Sequence, residues 1–190
     1  IERGKVHFDR AANVGLFSNR ESFSKRAWLE YLSGDTTGAI ELLDVAAAHL
    51  AGREKAVILH YRGAILNRIG RFDEALVSLD QALLERQDLI LAREEKGGSL
   101  WQLGRREAAV QEWSSAIQAN QGLVMANLML AGAAAAEGDS EKAALHQRQA
   151  ASYTPSDPYF HWMLGLRLRN LGMEDLARSH FQQAIKLDPK

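Results

Sequence analysis

Residues 56–89, with the sequence AVILHYRGAILNRIGRFDEALVSLDQALLERQDL, decide the fold of this chain. They read as two amphipathic helices joined by a glycine turn. The same pattern recurs along the chain, and its clearest marker is a glycine followed five residues later by an alanine. The pairs are Gly34/Ala39, Gly70/Ala75, Gly104/Ala109, Gly138/Ala143 and Gly172/Ala177. The steps between these glycines are 36, 34, 34 and 34 residues, and a fixed period in this range indicates a solenoid of repeated helix pairs.

This period divides the chain into five repeats when each turn glycine is placed at position 15 of a 34-residue unit. We expect residues 20–190 to form one solenoid domain. Its repeats are 20–53, 56–89, 90–123, 124–157 and 158–190, with Glu54 and Lys55 inserted after the first. Residues 1–19 are expected to form an N-terminal helix. Two interpretations of that helix stay open: the remnant of a preceding repeat, or a terminal helix of no particular type.

Small residues recur at the positions where helices should cross. Position 8 is glycine or alanine in every repeat, and positions 20 and 27 are alanine in all five. A glycine inside a helix costs about 1 kcal/mol, so we infer that close helix–helix approach requires it. Glycine at position 15 suits the left-handed conformation that ends a helix. All three prolines fall between repeats, and the pattern therefore predicts an all-α fold.

These residues resemble the tetratricopeptide repeat (TPR), in which a first helix with a small central residue is followed by a glycine turn, a second helix with two alanines, and a closing proline. The fifth repeat matches best, through Gly165, Leu168, Gly172, Ala177, Phe181, Ala184 and Pro189. The first repeat is the weakest, because it lacks both the position-8 glycine and the closing proline. The resemblance implies a right-handed superhelical solenoid of antiparallel helix pairs.

Composition argues against several classes of function. The formal net charge of −1 does not favour a nucleic-acid partner or an anionic membrane surface. No run of apolar residues is long enough to span a bilayer, so we expect no direct membrane contact. The absence of cysteine rules out disulfides and thiolate metal sites but does not choose between cytoplasm and periplasm. Because the chain begins at Ile1 without a signal-peptide pattern, we expect it to be a segment of a longer protein.

The sequence carries no signature of catalysis or cofactor binding. It lacks the HExxH metal motif, the phosphate-binding GxxxxGK[ST] loop and the GxSxG nucleophile elbow. Its six histidines are scattered and share no i, i+4 helical face, so we expect no metal site. Glu94 and Glu95 are adjacent, and we interpret them as a solvated face rather than a catalytic pair. The sequence therefore predicts a protein that is not an enzyme and needs no cofactor.

The resemblance places partner binding in a concave groove lined by the first helices, chiefly at positions 2, 5, 6, 9, 12 and 13. The candidate groove residues are Trp28, Tyr31, His60, Tyr61, Trp101, Met125, Leu128, Met129, Tyr159, Trp162, Met163 and Leu166. The part from Met125 to Leu166 is nearly all apolar, which suggests a protein partner that covers it. The alternative is a further helix of the parent protein lying there. The family's carboxylate clamp is not expected, because its set of Lys, Asn and Arg residues is missing.

We therefore expect a non-catalytic protein–protein interaction scaffold that binds a protein or peptide segment in this groove, as part of a larger protein or complex. Two other functions stay open. The segment could be a spacer that self-assembles through its open C-terminal end, where Leu176, Phe181, Ile185 and Leu187 form an apolar stripe. It could also be the regulatory arm of a bacterial secretion or polysaccharide-export machine, an idea that rests on resemblance alone.

Overall fold

Ten α-helices make up the described part of the chain. The computed structural model describes residues 20–189, and side chains from Phe23 onward. The helices are α1 (Arg20–Leu32), α2 (Thr36–His49), α3 (Gly52–Arg68), α4 (Phe72–Glu85), α5 (Ile90–Gln102), α6 (Arg106–Ala119), α7 (Val124–Ala136), α8 (Ser140–Tyr153), α9 (Pro158–Asn170) and α10 (Glu174–Leu187). No strand occurs in residues 20–189, and none of these helices has the length and apolar character needed to cross a membrane. The helix predicted within residues 1–19 lies outside the described residues.

The helices belong to two compact units. The N-terminal unit extends to Ser99 and contains α1 to α4 and most of α5. The C-terminal unit begins at Leu100 and contains the end of α5 together with α6 to α10. Each predicted repeat contains one pair of successive helices, of which the first carries the candidate groove residues.

Glycine ends the first helix of every repeat in the left-handed conformation. The five turn residues with φ between 75° and 92° are Gly34, Gly70, Gly104, Gly138 and Gly172. In the second repeat the Arg71 N–H donates to the Leu66 carbonyl at 2.9 Å, and the Gly70 N–H donates to the Asn67 carbonyl at 3.2 Å. These bonds satisfy carbonyls that the end of a helix leaves free. The role predicted for the turn glycines is confirmed.

Small residues let the paired helices approach closely. A Cβ added to Gly63 would lie 2.6 Å from Cγ of Leu79, and one added to Gly165 would lie 2.5 Å from Cε1 of Phe181. The alanines at positions 20 and 27 are all buried, with at most 8% of their surface exposed. The predicted contact points between helices are therefore confirmed. The close approach of the paired helices also explains why glycine occurs in helix interiors despite its low helix propensity.

The two inserted residues are helical. Helix α3 begins at Gly52 and is 17 residues long, whereas the other first helices have 13, so Glu54 and Lys55 lie in its first turns rather than in a loop. Glu85, at the end of α4, accepts a hydrogen bond from the Gly52 N–H at 2.9 Å and pairs with Lys55 at 3.5 Å. The insertion lengthens α3 and connects its start to the end of α4.

Helix α7 is buried around most of its circumference. Its sequence, VMANLMLAGAAAA, is apolar at nearly every position, and ten of its thirteen residues are buried. A helix that is apolar on all sides is stable when it is covered on all sides. This matters for function because α7 carries the three groove residues predicted in the fourth repeat.

Candidate interaction surface

Aromatic side chains form a cluster on the first helices of repeats one and two. The ring centroids of Trp28 and Tyr31 are 5.5 Å apart, and Tyr61 lies edge-on to Trp28 at 6.3 Å. His60 lies edge-on to Tyr61 at 5.4 Å. Trp28, Tyr31 and Tyr61 also pack against the apolar core of the N-terminal unit. The structure brings these four candidate residues together, and each of their rings already contacts other side chains of the protein.

Charged and polar groups lie beside this aromatic cluster. The Arg68 guanidinium carbon is 4.6 Å from the Trp28 ring centroid, a cation–π contact, and Arg68 Nη1 is 3.7 Å from Glu95 Oε1. Asn67 donates to the carbonyl and to Oε2 of Glu95, at 3.0 and 3.2 Å. Glu94 and Glu95 are only 5% and 7% exposed. The interpretation of these two residues as a solvated face is therefore wrong. Polar contacts from α3 compensate the burial of the Glu95 carboxylate.

In the C-terminal unit, Trp101 at the end of α5 is bound to the turn that follows α9. Its indole N–H donates to the Leu171 carbonyl at 3.2 Å, and the Gln102 amide donates to the Asn170 carbonyl at 2.6 Å. The Arg106 guanidinium lies over the Trp101 ring at 3.7 Å. Both carbonyls belong to the C-terminal end of α9, where a helix leaves its acceptors free. Trp101 is therefore partly buried and bonded within its own unit.

The three groove residues predicted in the fourth repeat are buried. Met125, Leu128 and Met129 are 7%, 4% and 0% exposed. The turn between α9 and α10 lies against α7, because a Cβ on Gly132 would be 2.6 Å from Sδ of Met173. The prediction of an open apolar groove at α7 is wrong. Side chains of this chain cover part of that face.

Three of the candidate groove residues are exposed together on one face of α9. Tyr159, Trp162 and Met163 are 67%, 46% and 37% exposed. Their spacing of three and four residues places them on the same side of the helix. The Tyr159 and Trp162 rings are stacked, with centroids 6.0 Å apart and planes inclined by 30°. Leu166, one turn further on, is partly buried. We call the surface formed by Tyr159, Trp162 and Met163 the α9 face.

Two polar pairs inside the helix pairs were missed by the sequence analysis. Nδ1 of His146 lies 3.3 Å from Oδ1 of Asn127, and the Nδ1 atoms of His161 and His180 are 2.9 Å apart. Each pair joins position 4 of a first helix to position 23 of the second helix. The shared separation of 19 residues is the sequence signal that could have found them.

Burial favours the neutral imidazole of His146 and of His180. Burial, together with the charge of His161, lowers the pKa of His180 to about 4. Burial also lowers the pKa of His146, partly opposed by a hydrogen bond to Gln149. Among the described residues no three histidine, aspartate or glutamate side chains converge in a way that could hold a metal ion. The pairs therefore act as buried polar contacts between the two helices of a repeat.

Comparison with known proteins agrees with this architecture. A tetratricopeptide-repeat family model matches residues 159–190. The structure of MamA, residues 41 to the end, from Desulfovibrio magneticus RS-1 has a TM-score of 0.60 at 20% identity, covering 90% of this chain and 95% of that one. A tetratricopeptide repeat protein from Parabacteroides merdae has a TM-score of 0.61 at 19% identity, covering 90% and 67%. Residues 159–190 therefore match one tetratricopeptide repeat, and the chain has the fold of tetratricopeptide-repeat structures.

The predicted all-α solenoid of TPR helix pairs is confirmed by these matches. TPR segments are generally non-catalytic, and the TPR fold indicates an interaction scaffold with protein partners. One curated relative is the Vi polysaccharide export protein VexE of Salmonella typhi, 31% identical over 122 residues. The aligned region covers 62% of this TPR chain but 19% of that protein, so the chain spans about a fifth of the relative's length.

Proposed function

We propose that this TPR chain is a non-catalytic scaffold that binds an apolar segment of another protein on the α9 face. The observation that carries the proposal is the contiguous exposure of Tyr159, Trp162 and Met163. Trp and Tyr dominate the energetics of many protein interfaces, and Met adapts its shape to a ligand. The choice of this face is supported by the burial of the candidate residues on α7.

Apolar contact is the main source of binding free energy in this proposal. Covering roughly 300 Å² of apolar surface contributes about 7 kcal/mol before the costs of association, at about 25 cal/mol per Å². An exposed ion pair contributes only about 0–1 kcal/mol. A partner segment that presents large apolar side chains should therefore bind more tightly than a segment that offers only charge.

In a narrower form of the proposal, the partner belongs to a polysaccharide-export assembly. The supporting observation is the 31% identity with the Vi polysaccharide export protein VexE over 122 residues. That likeness extends well beyond the single repeat matched by the family model. In this form the chain would be the TPR segment of a larger export protein and would position another component of the machine.

Self-association is the second candidate use of exposed apolar surface in this repeat. Helix α10 exposes Ile185 and Leu187, by 66% and 37% respectively. Two copies joined there would cover both residues. Light scattering over a concentration series tests this use, because a constant monomer mass would contradict it.

Site-specific crosslinking tests the α9 face directly. The photo-reactive residue benzoylphenylalanine replaces Trp162 in the full-length protein in its native cells, and the matched control carries it at Leu84, which is 82% exposed on α4. We expect one defined protein adduct from position 162 and none from position 84. A probe at Tyr159 should capture the same protein and lose it when Trp162→Ala is added. Equal adducts at both positions, or no adduct at position 162, would contradict the proposal.

A further inference from the structure

A cleft of about 300 Å³ is lined chiefly by residues at the ends of two second helices. It lies at the C-terminal ends of α6 and α8, above the start of α7. The residues that give it its chemistry are Gln118, Gln121, Asn127, Gln149, Ser152 and Tyr153. Of the described residues that line the cleft, none is charged. The lining therefore offers hydrogen-bond donors and acceptors without formal charge.

The floor of the cleft is polar, fixed and neutral. Asn127 is 1% exposed and donates to the carbonyls of Gln121 and Leu123, both at 3.1 Å. Its Oδ1 can only accept, so the contact at 3.3 Å places the proton of His146 on Nδ1. Burial lowers the pKa of His146, which is therefore neutral at pH 7, and His146 hydrogen-bonds in turn with Gln149. The floor is held in place before any ligand arrives.

The wall of the cleft offers one aromatic ring and one hydroxyl. The Tyr153 ring rests on the backbone of Gly122, where an added Cβ would lie 3.5 Å from Cδ1, yet 54% of the residue is exposed. Such a ring offers a flat apolar face in a fixed position. The Ser152 hydroxyl donates to the Arg148 carbonyl at 3.0 Å, which leaves its oxygen able to accept.

The electrostatics of the cleft disfavour an anion. Helices α6 and α8 both end here, and the C-terminal end of a helix carries partial negative charge. Neither helix has a basic residue in its last turn. Phosphates, uronic acids and acidic peptides would meet this partial negative charge at a lining that contains no basic residue. A neutral ligand rich in hydroxyl groups could instead hydrogen-bond to the glutamine amides and pack against the Tyr153 ring.

We propose that this cleft binds a neutral saccharide unit, with one face of the sugar on Tyr153 and its hydroxyls on Gln118, Gln121 and Gln149. Each glutamine amide can donate to one hydroxyl and accept from another. The inference rests on the cleft alone and involves a surface separate from the α9 face. Loss of sugar binding would therefore leave protein binding at Trp162 intact, and the reverse also holds.

Nuclear magnetic resonance on the 190-residue chain tests the proposal with two named probes, maltotriose and N,N′,N″-triacetylchitotriose. We expect at least one of them to shift the side-chain amides of Gln118, Gln121 and Gln149 and the backbone amides of 149–153. Tyr153→Ala should weaken binding about tenfold, whereas Tyr153→Phe should keep most of it because the ring remains. Leu84→Ala, which removes an exposed side chain of α4 outside the cleft, should leave binding unchanged.

Three results would overturn the proposal. The first is no shift at the cleft with either trisaccharide up to about 50 mM, a concentration that would reveal even weak binding. The second is equal binding by Tyr153→Ala and the unmodified chain. The third is stronger binding of trigalacturonate than of both neutral sugars, since that would contradict the charge argument. A spectrum of Tyr153→Ala that superimposes on the unmodified chain away from the cleft shows that the variant is folded.

Discussion

Single glycines decide how closely the helices of this TPR chain approach. Gly63 is the clearest case, because a Cβ there would lie 2.6 Å from Leu79. Alanine is the better helix former by about 1 kcal/mol, so helix propensity alone predicts that Gly63→Ala stabilises the protein. Steric conflict predicts the opposite, since overpacking a core contact costs about 1–3 kcal/mol.

We expect Gly63→Ala to lower the free energy of unfolding by about 1–2 kcal/mol in urea titrations. The control is the same substitution in a Leu79→Ala background, which removes the conflicting side chain. There Gly63→Ala should be neutral or stabilising. An equal loss in both backgrounds would show that the contact with Leu79 is not what requires glycine.

The histidine pair of the last repeat makes stability depend on pH. The folded pKa of His180 is about 4, whereas the ordinary value is 6.5. Between these values the unfolded chain binds a proton that the folded chain does not, so the free energy of unfolding should fall as pH drops from 6.5 to 4. Above pH 6.5 the imidazole is neutral in both states, and this group has no effect.

Unfolding of the His180→Gln variant, measured at several values from pH 7 to pH 4, isolates this effect. Its free energy of unfolding should fall less steeply with acid than that of the unmodified chain. A smaller slope should remain, because the pKa of His146 is also lowered by burial. His49→Gln, at an exposed site, is the control. An unchanged slope in His180→Gln would contradict the role assigned to the pair.

At the scale of elements, neighbouring first helices with similar side chains play different roles. Helix α7 is covered on nearly all sides, whereas α9 leaves three large side chains exposed. Methionine occurs at position 6 of both helices, as Met129 and Met163, but their exposures are 0% and 37%. The same substitution at these two positions therefore measures the difference between the helices directly.

Met129→Ala should lower the free energy of unfolding by about 2–5 kcal/mol, because it leaves a cavity in a packed interior. Met163→Ala should change it by less than about 1 kcal/mol, as expected for a side chain near the surface. Thermal or urea unfolding of the two variants provides the comparison. If Met129→Ala proved as mild as Met163→Ala, α7 would have to be open to solvent, as the sequence predicted.

At the scale of the whole molecule, stability should be uneven along the chain. Helix α4 buries five residues, whereas α10 buries only Ala177 and Ala184. Elements with few buried contacts open at lower free energy than the global unfolding reaction. We expect amide hydrogens of 174–187 to exchange faster than those of 72–85 in a monomeric sample. Equal protection of the two helices would contradict this expectation.

The sequence by itself determined the helix pairs of this protein. Turn glycines and interior alanines recur at fixed spacing because left-handed backbone and close helix approach each admit few residue types. These local requirements made the ten helices, their turns and their contact points predictable. The position of the inserted Glu54 and Lys55 could not be predicted from the sequence, because two extra residues can lengthen either a helix or a loop. Here they lengthen α3, whose first turn is held by the hydrogen bond and ion pair with Glu85.

Only the tertiary structure decided which candidate residues are accessible. The repeat pattern predicts the direction in which a side chain points from its helix. It does not predict whether another part of the chain covers that side chain. The end of α5, at Trp101 and Gln102, donates hydrogen bonds to carbonyls at the end of α9, and Met173 in the turn after α9 lies against α7. Burying the apolar surface of α7 removes it from water and is favourable without any partner. Of the candidate residues in the C-terminal unit, Tyr159, Trp162 and Met163 on α9 stay exposed.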